Sequence, residues 1–146
     1  MKNIKNKYIK LSLPDYQKPV KITLKKSHLK GLERLGRVVM PPDSDFPSFD
    51  EIGAEEYVNR MVDYMYEDDR SSILFILKMF SITPLFKIRW FMSLIETGSK
   101  WRGMAGAPFR MLQIALKGLI FTVYYSDLTE DQIIHSKIGY DAKIVM

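Results

Sequence analysis

Two histidines and no cysteine leave this 146-residue chain few ways to bind a metal or attack a substrate. A histidine–cysteine zinc set, a disulfide and a thiolate nucleophile are all excluded by composition. His28 and His135 lie far apart in sequence, and neither has a nucleophile at a recognisable spacing. A Ser/His/Asp arrangement needs only proximity in space, but no nucleophile elbow is present. The acidic pairs Glu55-Glu56 and Asp68-Asp69 are sequence neighbours. Adjacent side chains on a helix point in different directions, a poor geometry for two carboxylates that must face one bond. Gly103-x-x-Gly106 follows a helical pattern and not a strand, so it lacks the context of a dinucleotide loop. Nine methionines, eight phenylalanines, eight tyrosines and two tryptophans suit core filling better than a cofactor cavity. The expectation is a non-enzymatic chain with no cofactor or metal of its own.

The elements that position these residues read as an all-α domain of five to six helices behind a basic N-terminal arm. The arm covers residues 1–26 and the helical domain residues 27–146. In the arm, Val20-Lys21-Ile22-Thr23-Leu24-Lys25 alternates apolar and polar residues, and Tyr8 to Leu13 does so less regularly, which predicts a short hairpin. Ser27 is expected to cap a first helix that ends at Pro41-Pro42, with His28, Leu32, Leu35 and Val39 near one face. Ser48-x-x-Glu51 is a capping-box pattern ahead of a helix carrying Ala54, Tyr57, Val58, Met61 and Met65. A helix over 71–81 is apolar nearly all round and is expected to be central. Pro84 opens the next, with Leu85, Ile88, Phe91, Met92 and Ile95 inward and Gly98 at its end.

The helix predicted over 108–125 carries two apolar faces. Phe109, Leu112, Leu116, Leu119 and Val123 form a core stripe, while Arg110, Ile114, Lys117, Phe121 and Tyr124 or Tyr125 lie opposite. Either a partner or another part of this chain, such as the basic arm, covers that second face.

Net charge is +5, unevenly distributed. Residues 1–40 carry +9, residues 41–69 carry −9 and residues 70–146 carry +5. The arm lacks arginine clusters and base-stacking aromatics and is followed at once by acid, so a nucleic-acid partner is not expected. Contact with a membrane surface is the competing reading, from the arm and from helices bearing Trp90, Phe91 and Trp101. No export signal or membrane-spanning run is legible. The location expected is cytoplasmic or peripheral to the inner membrane, and periplasmic only if a partner carries the chain.

Two stretches resemble a known family. One is Leu32-Glu33-Arg34-Leu35-Gly36-Arg37 through Met40-Pro41-Pro42-Asp43 to Phe46-Pro47-Ser48, then Gly53, Tyr57-Val58 and Arg60-Met61. The other is Phe109-Arg110 through Leu116-Lys117-Gly118-Leu119 to Tyr124-Tyr125-Ser126-Asp127, then Ile138-Gly139-Tyr140-Asp141. Both resemble the small subunit of gluconate 2-dehydrogenase-type complexes. The resemblance implies a helical accessory subunit beside a large flavoprotein of the glucose–methanol–choline class, with FAD in that partner and a cytochrome c subunit as a further member. It implies that the partner oxidises an alcohol, sugar or sterol. The expected contact set is Arg110, Ile114, Lys117, Phe121, Tyr124, Tyr125, Asp127 and Tyr140. Two departures from the family pattern stand out: this chain begins with a lysine-rich arm in place of a twin-arginine signal, and Leu128-Thr129-Glu130-Asp131-Gln132 replaces the usual proline after Ser-Asp. Thr129 and Gln132 are expected to cap a short final helix.

Overall fold

The computed structural model describes residues 21–43, 45–52, 58–126 and 133–139. Over these the chain is all-α, with helices α1 Lys26–Val39, α2 Val58–Val62, α3 Glu67–Ile82, α4 Leu85–Ser99, α5 Ala107–Ser126 and α6 Ile133–Ile138. Short 3-10 turns occupy Phe49–Glu51 and Gly103–Gly106, and there is no strand among the described residues.

α1 begins one residue before Ser27, with Lys25 as its N-cap. The Nδ1 of His28 accepts the Lys25 backbone N–H at 3.3 Å, doing for an orphan donor what a glutamate does in a capping box. Burial, then the charges of Lys25 and Lys78, lowers the His28 pKa below its ordinary value and keeps the ring neutral for that bond. Leu32 and Leu35 are fully buried, while His28 and Val39 are half-buried. Prolines 41 and 42 end the helix as expected.

α1 is the hub. It packs along α3 and touches α4 and α5, while α4 and α5 form a second packed pair. The α1–α3 approach is close because Gly31 has no side chain: an added Cβ would fall 1.8 Å from the Leu77 carbonyl oxygen. Leu32, Leu35, Leu77, Ile88, Ile95, Leu116 and Ile120 fill the space between these helices. Each such burial contributes roughly 1.5–3 kcal/mol before entropy is counted.

Several sequence expectations change on contact with the structure. Residues 21–25 of the arm's expected second strand form no strand, and Val20 and the first strand lie outside the described residues. The arm's end is tied to the helical body: the Ile22 N–H donates to Asp63 Oδ1 at 2.9 Å and Leu24 is buried. The Ser48–Glu51 box forms, with the Ser48 N–H donating to Glu51 Oε2 at 2.8 Å, but it opens a single 3-10 turn. α3 is longer than expected and is not central. Ile73, Leu77 and Phe80 are buried, whereas Phe75 and Met79 face outward. Leu85 is exposed, and Gly98 lies inside the last turn of α4, against the Phe109 ring. Gly139 closes α6 with φ +70°, the left-handed conformation of a helix end. The capping segment ahead of α6 lies outside the described residues.

Candidate partner-binding surfaces

α5 starts at Ala107, with Pro108 in its first turn, where the missing N–H costs nothing. Its inner stripe is wider than expected, since Ile120 and Tyr124 join Leu116, Leu119 and Val123 among the buried residues. Phe109 and Leu112 are half-buried. On the opposite side Ile114 is 73% exposed, Tyr125 47% and Phe121 39%, with Met111 also exposed. Phe121 and Tyr125 pack ring to ring at 6.2 Å. Met111, Ile114, Phe121 and Tyr125 thus leave large apolar groups on the outside of a 20-residue helix.

The expected contact residues divide into distinct roles. Ile114, Phe121 and Tyr125 lie together on the open face. Tyr124 is a correction: it is fully buried, and its hydroxyl donates to the Pro47 carbonyl at 2.7 Å, because the ring points toward the loop after α1. Arg110 is solvent-exposed, yet its guanidinium is spent on the turn before α5, donating to the carbonyls of Ser99, Trp101 and Gly103 at 3.3, 2.8 and 3.0 Å. Lys117 is half-buried and meets Glu96 of α4 at 3.7 Å. Asp127 and Tyr140 lie outside the described residues.

A second apolar surface was not anticipated. α3 gives its main contacts to α1, and α4 gives its own to α5, so a groove of about 780 Å³ opens between α3 and α4. Phe75, Met79 and Thr83 line one wall and Phe86, Lys87 and Trp90 the other. Phe80 and Phe91 meet edge-to-face at 5.7 Å beneath them. Phe86 is 68% and Trp90 66% exposed. The two-sided apolarity of α3 was the available signal, and only its inference of centrality was wrong.

Chemistry is sparse on these surfaces. His28 caps α1, and the His135 Nε2 lies 3.0 Å from the Tyr125 carbonyl oxygen, tying α6 to the end of α5. Asp68 and Asp69 are exposed in the first turn of α3, where they complement the helix dipole. Glu55 and Glu56 lie outside the described residues. Among the described residues no group of three or more acidic or histidine side chains is placed to hold a metal ion, and no helix is long and apolar enough to cross a membrane. Comparison with family models, with curated proteins and with solved structures finds no match to this chain.

Proposed function

We propose that this chain is a non-catalytic accessory subunit that binds and stabilises a larger protein. The observation that carries the reading is the outer face of α5, where Ile114, Phe121 and Tyr125 stay exposed although the inner face of the same helix is already buried. Apolar groups of this size cluster on a surface where another molecule removes them from water. The sequence resemblance supplies the partner's class, a large FAD-dependent alcohol, sugar or sterol dehydrogenase of the glucose–methanol–choline type. The flavin and the hydride chemistry belong to that partner.

Affinity purification of the tagged full chain from its source organism tests this. A stoichiometric protein with flavin absorbance in the eluate is expected. A chain that elutes alone, as a stable monomer free of flavin, contradicts the proposal.

A second reading, contact with an anionic membrane, draws on exposed Trp90 and Trp101 beside Lys87, Arg89, Lys100 and Arg102. Aromatic and cationic side chains together favour a bilayer interface. Salt-sensitive binding to anionic vesicles, lost on deletion of residues 1–26, is its distinguishing outcome.

A further inference from the structure

The groove between α3 and α4 is separate from the α5 face, and what fills it does not depend on the identity of the partner there. We propose that it is a docking site for an amphipathic helix of another protein, one with large apolar side chains along one stripe and a carboxylate at its edge. Shape is the first reason. The wall residues recur at helical spacing, Phe75, Met79 and Thr83 on α3 and Phe86 and Trp90 on α4. They form a trough open along about 12 Å of α3, the length of two helical turns. Helices dock into such troughs through anchors at i, i+4 and i+7. An open trough leaves a small amphiphile largely in water, whereas ligand pockets enclose most of their ligand.

Rigidity is the second reason. The bend joining α3 to α4 is fixed from α1, where the Arg34 guanidinium donates to the Thr83 carbonyl at 2.6 Å. Just past the end of α3, the Thr83 hydroxyl donates back to the Met79 carbonyl at 2.8 Å. The walls are therefore held apart before anything binds, and less ordering is needed on association.

Charge selects the occupant. Lys87 lines the groove and makes no ion pair among the described residues. No acidic residue among those described lines the groove to balance it, while Arg89 lies elsewhere, beside Val38 and Glu96. A second copy of this chain, seated groove to groove, brings another Lys87 and no carboxylate from its own groove lining. A partner with Glu or Asp beside its apolar stripe instead supplies the missing countercharge.

The test uses the full chain and a fluorescein-labelled, helix-favouring peptide with leucines at i, i+4 and i+7 and flanking glutamates. Its comparison peptide has lysines in place of the glutamates. Saturable binding of the glutamate peptide, at least tenfold tighter than the lysine peptide at low salt, is expected. Trp90→Ala and, separately, Phe86→Ala should each weaken it about tenfold or more, with circular dichroism unchanged. Lys87→Glu should reverse the preference between the two peptides. Equal binding of both peptides, or binding indifferent to Trp90→Ala and Phe86→Ala, overturns the proposal. So does a concentration-dependent dimer that Trp90→Ala dissociates while neither peptide binds. Quenching of Trp90 by dodecanoate or by anionic vesicles, with no peptide binding, also overturns it.

Discussion

The phenol of Tyr124, near the end of α5, donates its proton to the carbonyl of Pro47, 77 residues earlier in the chain. The bond joins the last long helix to the loop that follows α1, and it is why one of two adjacent tyrosines is buried while the other faces out. Tyr125, one residue on and turned by about 100°, sits edge-to-face with Tyr124 at 5.2 Å and remains 47% exposed. Tyr124→Phe keeps the ring and removes the hydrogen bond. Chemical denaturation should show a loss of about 1–2 kcal/mol, with no change in partner binding.

Gly31 and Gly118 should respond oppositely to alanine. At Gly31 the new methyl meets the Leu77 carbonyl and α1 must separate from α3, so unfolding free energy should fall by about 3 kcal/mol. At Gly118, within α5, a Cβ meets nothing within 4 Å. There the helix gains about 0.5–1 kcal/mol because alanine loses less backbone entropy. Paired thermal melts of the two variants check both signs.

Stability should fall on mild acidification, through His28. Its folded pKa is lowered, so protons bind the unfolded chain more readily. The contribution is fully present above the unfolded value of 6.5 and is lost as pH drops below it. Protonation also converts Nδ1 from the acceptor of the Lys25 N–H into a donor facing it. His28→Gln should flatten that part of the profile. A second decline comes from Asp50. Burial raises its pKa, but the Ser48 hydrogen bond, its own backbone N–H and Arg37 outweigh that and hold it below 3.8. Its contribution is lost as pH falls below that value. Denaturation midpoints measured between neutral and acid pH read out both.

Arg110→Ala should loosen the turn at 101–106 without abolishing partner binding, because its guanidinium serves two carbonyls of that turn, Trp101 and Gly103, and that of Ser99 at the end of α4. A loss of about 1 kcal/mol is expected, with faster proteolysis of the turn. Arg110→Lys should not restore it, since a single ammonium cannot reproduce the guanidinium fork.

Much of this architecture was legible because its boundaries are chemical. Prolines 41, 42, 84 and 108 mark helix ends by local rules that tertiary packing rarely overrides, and the Ser48–Glu51 pair marks the start of a 3-10 turn in the same way. Periodicity also separated the two faces of α5. It failed where burial depends on which helix lies alongside. Phe75 and Met79 look like core residues, yet α1 covers only one side of α3. Tyr124 looked like a surface residue because nothing local announces Pro47 as its partner. Arg110 looked like a contact residue because a turn-closing guanidinium and a partner-binding one have the same sequence signature.

The most direct test is the dissociation constant between this chain and the flavoprotein proposed as its partner, measured for the wild type and for Ile114→Asp. Ile114 is 73% exposed, so the substitution leaves the fold intact while placing a charge in the middle of the apolar face. A buried anchor lost to a charge costs about 2 kcal/mol or more, so affinity should fall about thirtyfold or further. An unchanged dissociation constant would mean that the outer face of α5 is not where the partner is held.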